Sequence, residues 1–252
     1  EDNKKVQAIP LQDVDEVQGV NDRIDLAKAS KWIQNNINTR WMKEGVSFID
    51  PNLSFISLNT TLGTDVTIYP NVYCEKNNTI GSHVTLLPNT YLSNSIIGNH
   101  VNIDASRITD SEVGNEVNIG PYAHLRMHCV IADKNRIGNF VEMKKTVFGY
   151  DSRCAHLSYL GDSIVGSKVN MGCGVVTVNY DGKNKFQTII EDGAFIGSNA
   201  NLIAPIRVGK NAVVAAGSTI YEDVEETDMA IARAKQINKS GYGVRYKDKD
   251  KK

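Results

Sequence analysis

The sequence predicts an all-β solenoid of six-residue repeats preceded by one α-helix, and three observations predict it. Leu62, Ile68, Cys74, Ile80, Leu86 and Leu92 stand six residues apart; the period slips by one at Ile97, resumes through Ile119, Leu125, Ile131, Ile137 and Met143, and runs again through Ile190, Ile196, Leu202, Val208, Val214 and Ile220. Glycine follows many of them, as in Leu62-Gly63, Ile80-Gly81, Ile97-Gly98, Ile119-Gly120, Ile137-Gly138, Ile196-Gly197 and Val208-Gly209. The chain also holds 25 Asn and 20 Gly against 6 Pro and 6 Phe, and Asn and Gly most readily take the positive φ of tight corners.

A repeat of six is too short for a helical solenoid and suits one short strand plus one corner, with one aliphatic residue per repeat pointing into a narrow core. Three such edges make a triangular coil of 18 residues. Stacked coils pair each strand with its equivalents above and below at about 4.8 Å, which satisfies the backbone and leaves open edges only at the ends. A β-sandwich would carry turn signals every 8–12 residues instead.

The elements follow in order. Residues 1 to about 22 are irregular, and Asp22 to Glu44 reads as a helix, capped by Asp22 and closed by Gly45. Ile24, Ala27, Trp32, Ile33, Ile37 and Trp41 give it an apolar stripe that wants a partner surface. The repeats begin at Leu53. Residues 178–188 break the rhythm and must loop out of the coil, where binding residues are often found. The organisation expected is residues 1–45 as a leading segment with the helix, 46–228 as the solenoid, and 229–252 as a tail.

Composition narrows the function. With 28 Lys+Arg against 29 Asp+Glu and a net charge of -1, neither a basic nucleic-acid binder nor an acidic tail fits. No stretch approaches the ~20 apolar residues of a bilayer span, so the reading is a soluble, cytoplasmic protein with no nucleic-acid or membrane partner. Cys74, Cys129, Cys154 and Cys173 are unclustered and read as small, mostly buried residues. The first residue is Glu rather than Met, which fits a piece of something longer.

The repeat is also a ruler for chemistry. Arg126 follows inward Leu125, and Lys144 follows inward Met143 one coil later, so two cations stack on one outer face and call for an anion. Glu142 and Tyr159 share that edge, and Lys185 on the excluded loop offers a third cation. His156 lies two residues past inward Cys154, and Cys173 two past Met171, which puts them at equivalent corners one coil apart.

These residues sit in motifs that identify a relative. Ile119-Gly120-Pro121-Tyr122-Ala123-His124-Leu125-Arg126, Gly138-Asn139-Phe140-Val141-Glu142-Met143-Lys144-Lys145, His156-Leu157-Ser158-Tyr159-Leu160-Gly161-Asp162 and Asn179-Tyr180-Asp181-Gly182-Lys183-Asn184-Lys185-Phe186 resemble the hexapeptide acyltransferases. Within them the match is to the acetyltransferase half of the bacterial bifunctional N-acetylglucosamine-1-phosphate uridylyltransferase/glucosamine-1-phosphate N-acetyltransferases, from about Glu16 to the end.

The resemblance implies a left-handed parallel β-helix. It implies transfer of acetyl from acetyl-CoA to the amine of glucosamine 1-phosphate, on the way to UDP-N-acetylglucosamine, in a homotrimer with sites between subunits. It assigns Arg126, Lys144 and Lys185 to the sugar phosphate, and Tyr159 and Asn170 to the sugar. Acetyl-CoA falls to Cys173, Asn179, Tyr180, Ser198, Ala216 and Arg233. His156 becomes the proton acceptor with Glu142 beside it to orient the ring, and the backbone N–H of Cys173 the oxyanion donor. Relatives carry Ala at Cys173.

Val20-Asn21-Asp22-Arg23 resembles the end of the family's nucleotide-transferring domain, where Asn21 would bind Mg2+ only together with that domain; acetyl transfer without uridylyl transfer is therefore expected. Two other classes share the solenoid. Zinc-binding carbonic anhydrases use three histidines, which His83, His124 and His128 suggest only superficially; a non-catalytic scaffold leaves the loop and the motifs unexplained.

Overall fold

The computed structural model describes residues 5–10, 17 and 19–244 of the 252-residue chain. Helix α1 spans Arg23–Lys43. The Asp22 carboxylate accepts from the N–H groups of Ile24 and Asp25, each at 2.8 Å, and Gly45 takes φ +93 just past the end, as predicted.

The buried face of α1 differs from the expected stripe. Gln34, Ile37, Asn38 and Trp41 are buried, whereas Ile24 and Ile33 are 66% and 50% exposed. The helix meets the first coil from its middle onward, with Lys31 Nζ donating to the Asn52 carbonyl at 2.9 Å. There the Asn38 amide donates to the carbonyls of Pro51 (2.8 Å) and Ser54 (3.1 Å) and accepts from Gln34 (2.9 Å). A polar clasp around Ile37 and Trp41 docks the helix; among the described residues nothing covers the first turns.

Beyond α1 the chain winds through three parallel sheets of 11, 10 and 9 strands. Face one opens with Ser47–Phe48, face two with Phe55–Ile56 and face three with Thr60–Leu62, and every coil visits them in that order. All the six-spaced residues are buried, and they stack in register: Ile108 on Leu125, Leu125 on Met143, Met143 on Leu160. Short coils are absorbed without loss of pairing, since Ser93 pairs with Thr109 while Val113 pairs with Ile131. The last strand described, Met229–Ala230, still pairs on face one. The excluded segment loops out between strands Val176–Val178 and Thr188–Ile190, closed by an antiparallel bridge between Tyr180 and Lys185.

The corners work differently from the sequence expectation. Among the described residues, 23 non-glycine residues have positive φ and only five of them are Asn; the rest include Asp65, His83, Tyr122, Phe140, Leu157 and Asp162. Glycine after the inward aliphatic serves close stacking instead: a Cβ on Gly98 would lie 2.6 Å from the Gly114 carbonyl, and one on Gly81 2.7 Å from that of Gly98. Several asparagines stitch coils together. Asn99 Oδ1 accepts from the Ser82 N–H (2.8 Å), Asn115 Oδ1 from the Asn99 N–H (2.8 Å), and Asp133 Oδ1 from the Asn115 N–H (2.7 Å). Among the described residues, no helix is long and apolar enough to cross a membrane.

Candidate active site

The registers distribute the predicted residues over three places. The first is the corner between faces one and two. Pairing stacks Cys154, Met171, Ile196 and Val214, so the residues two further on, His156, Cys173, Ser198 and Ala216, form one line along that corner. Three rungs at about 4.8 Å give it a length of roughly 14 Å. Arg233 closes the line, its guanidinium donating to the Ala216 carbonyl at 2.9 Å.

His156 heads the line. Its exposed ring meets Asn139, one rung below, with Nδ1 2.7 Å from Asn139 Oδ1. An amide oxygen only accepts, so this contact is a hydrogen bond when Nδ1 carries the hydrogen, and in that neutral tautomer Nε2 keeps the lone pair. The sequence reading gave this orienting role to Glu142, but Glu142 is engaged elsewhere: its Oε1 accepts from Arg126 Nε (2.8 Å) and Nη2 (2.6 Å). Each stacked cation has its own carboxylate, Glu142 on Arg126 and Asp162 on Lys144, which relieves the repulsion that their spacing foretold.

The second place is face two itself. His124, Glu142, Tyr159 and Val176 succeed one another there, flanked by Arg126 and Lys144 on the side of the next corner. Burial pushes His124 below the ordinary histidine range, with Glu142 opposing it. The column is distorted at Gly161. Inward Thr177 is fully buried where an aliphatic would stand, and its hydroxyl accepts from the Gly161 N–H at 2.8 Å. A Cβ on Gly161 would lie 2.6 Å from both the Tyr159 hydroxyl and the Asn179 amide.

The third place is the corner between faces two and three, where the loop leaves. Lys144 is buried, with Nζ 3.1 Å from Asp162 Oδ2, and Asn179 Nδ2 donates to the same oxygen. Lys144 stands above the ordinary lysine range, chiefly through its hydrogen bond with Lys185 and secondarily through Asp162. Lys185, exposed on the loop, is pushed down by that same neighbour. Two neighbouring amines call for an anion. Tyr180 is exposed, its hydroxyl on the Gly182 carbonyl at 2.6 Å.

Asn170 stands apart from all three, on face one between Arg153 and Phe195. Asn21 precedes α1, exposed, its N–H on Asp25 at 3.4 Å. The histidines of the zinc alternative are dispersed: His83 stacks on His100 at 4.7 Å, while His124 lies on face two and His128 at a corner.

Three residues of this arrangement escaped the sequence reading, and all were within reach of the ruler: Asn139 lies one coil before His156, Asp162 one coil after Lys144, and Thr177 is a polar residue on an inward column.

Comparison with known proteins gives a consistent picture. The family model describing the hexapeptide repeat of succinyl-transferase matches residues 187–222. The bifunctional protein GlmU of Carboxydothermus hydrogenoformans is 52% identical over 242 residues, covering 96% of this chain and 54% of that protein. GlmU of Halalkalibacterium halodurans is 51% identical over 239 residues, covering 95% and 52%. The chain thus spans about half the length of the curated relatives it matches. Among solved structures, UDP-N-acetylglucosamine acyltransferase from Campylobacter jejuni is similar over 71% of this chain and 70% of that one, at 18% identity and a TM-score of 0.49.

Proposed function

This chain belongs to the family of the bifunctional GlmU proteins, over about half their length, and we propose that it is an acetyl-CoA-dependent glucosamine-1-phosphate N-acetyltransferase acting in the cytoplasm. The observation that carries the reading is His156 at the head of a corner line, its Nδ1 occupied by Asn139 and its Nε2 open.

Acetyl-CoA lies along His156, Cys173, Ser198 and Ala216, with Arg233 at the far end for its anionic portion. Imidazole ordinarily titrates near neutrality, so Nε2 takes the proton as the amine attacks the thioester carbon. The new bond is C–N. The C–S bond breaks, and the thiolate leaves to collect a proton as coenzyme A. The backbone N–H of Cys173 is the candidate donor to the transient oxyanion. The sugar phosphate takes Lys144 and Lys185 as point charges and Arg126 as a fork, drawing the guanidinium from Glu142. Tyr159 and Asn170 contact the sugar.

Geometry supports a trimer with shared sites. His156 and the Lys144–Lys185 cluster stand at opposite edges of face two, between corner residues Leu157 and Asp162, roughly 15 Å of extended chain. The amine and phosphate of one glucosamine 1-phosphate sit on adjacent ring carbons and cannot reach across that face. The base edge of one protomer therefore meets the cation edge of the next. The exposed corner residues Tyr122, Phe140 and Leu157 beside the base offer an apolar seam for that contact.

The test is coenzyme release with both substrates. Mixing His156→Ala and Lys185→Ala protomers should restore activity that neither variant has alone. Failure of acetyl transfer sinks the assignment, and failure of complementation sinks the shared site.

A further inference from the structure

Asp162 meets both ends of the loop and the buried cation at its base, through its carboxylate at the departing end and its backbone carbonyl at the returning one. Its Oδ2 accepts from Lys144 Nζ (3.1 Å) and from Asn179 Nδ2, where the loop departs. Its carbonyl accepts from the Thr188 N–H (3.3 Å), where the loop returns, and its own N–H donates to the Lys144 carbonyl (2.9 Å). Asp162 sits at φ +49, a backbone state that Asp tolerates better than most residues. The neighbouring Gly161 leaves the space in which the Asn179 amide and the Tyr159 hydroxyl come together over the strand.

Lys144 and Asn179 belong to different ligands. Under the proposed function Lys144 meets the sugar phosphate, and the family resemblance gives Asn179 to the coenzyme; the Asp162 carboxylate bonds both side chains directly. We propose that Asp162 is a positioning residue that couples the two subsites, one carboxylate oxygen fixing both the ammonium for the amino-sugar phosphate and the loop amide for acetyl-CoA. The inference rests on the functional reading above. Asp162 holds the Lys144 ammonium in place beside the loop, so that an arriving phosphate meets it already positioned. Through Asn179 the same oxygen sets the loop base for the coenzyme, and occupancy of either subsite favours the other.

Removal of the carboxylate tests this on the full chain. Asp162→Gly keeps the corner backbone unstrained, and Asp162→Asn keeps the shape while removing the charge. Binding of glucosamine 1-phosphate and of coenzyme A is measured separately by titration calorimetry. Asp162→Gly is expected to weaken both by about tenfold, the size of an ordinary coupling between sites. Lys144→Ala should weaken mainly the first and Asn179→Ala mainly the second.

In Asp162→Asn the alkaline limit of glucosamine 1-phosphate binding should move to lower pH, because Lys144 has lost its carboxylate partner. A purely structural role would lower the number of competent sites and leave both affinities and the pH limit in place; that result overturns the proposal, as does weakening of one ligand alone. Wild-type protein that binds neither ligand overturns the functional reading itself, before any variant is compared.

Discussion

The coils from Ser47 to Asn118 and those from Ile119 to Ile190 are built on one repeat but used differently. In the earlier coils, side-chain rungs such as Ser82–Asn99–Asn115 join neighbouring turns and the inward columns stay aliphatic through Leu92, Ile97, Ile103, Ile108 and Val113. The later coils carry the one buried charged residue among those described, Lys144, an inward Thr177 and the excluded loop. Strand pairing continues unbroken through both regions. Each coil is held by the ones above and below, so a local irregularity is tolerated where its neighbours are regular, and the irregularities gather at the proposed site.

The sharpest way to break that comparison is His156→Ala. The residue is exposed and lies outside the core, so the regular coils should not register its loss. We expect kcat to fall by roughly 10²–10⁴-fold, the usual range for a lost general base, with melting temperature and coenzyme binding unchanged. The deficit should shrink as pH rises and the substrate amine arrives deprotonated. Thiol release across pH, with a melting curve at each end, checks this; a folded variant of undiminished kcat would remove His156 from the mechanism.

The reverse experiment loads the regular region. Gly98→Ala places a methyl 2.6 Å from the Gly114 backbone, which cannot rotate away. About 3 kcal/mol of lost stability is expected. Gly182→Ala on the loop meets nothing within 4 Å and has only its φ of +98 to oppose it, so about 1 kcal/mol is expected. Denaturant titration of both variants measures the difference. Equal losses would mean that the loop is as integral to the solenoid as the coils.

How much of this was legible in the sequence depends on what set each residue. The inward columns were, because a narrow core accepts one aliphatic per edge and little else. The loop and the equivalent corners of His156 and Cys173 were legible too, because register is counted in residues; Ser198 and Ala216 entered only through the resemblance, and the strand registers extend the line to them. The corner glycines were read for the wrong reason: backbone crowding by the next coil, and not φ, selects them at Gly81 and Gly98. Asn139 takes the place beside His156 that was expected of Glu142, because spacing gives a rung but not the reach of a side chain: Glu142 bends to Arg126 on its own face, and Asn139 is the residue directly beneath His156. The stripe on α1 misled because amphipathicity names a face without saying how much surface waits to cover it.

A smaller effect separates Lys185 on the loop from an ordinary surface lysine. Lys144 pushes Lys185 below the usual range, so Lys185 is charged below its lowered pKa and loses that charge as pH rises through it. Its contribution to anion binding is therefore lost at lower pH than a free lysine would allow. The alkaline limb of kcat/KM for glucosamine 1-phosphate should move upward in Lys144→Ala relative to wild type, although the variant's absolute kcat/KM falls. Comparing the two enzymes on the same substrate cancels the titration of the substrate amine. A limb that stays in place would mean that Lys144 does not depress Lys185.

The smallest effect is expected at Cys173. Its proposed role uses only the backbone N–H, which the Cys173→Ala substitution preserves. We expect kcat and the coenzyme KM to stay within about twofold of wild type, less than 0.5 kcal/mol. The thiol nevertheless differs from the other three. Burial pushes Cys74 and Cys154 up to about 12 and raises Cys129, whereas Cys173 is only half-buried at the corner one rung from His156. Iodoacetamide should therefore label Cys173 first, and an added group there should block the coenzyme line and abolish activity that the Ala variant retains. Peptide mass spectrometry locates the label, and prior addition of acetyl-CoA should prevent it. Labelling of Cys173 without loss of activity would move the coenzyme off this corner, and with it the reason for placing chemistry in the later coils.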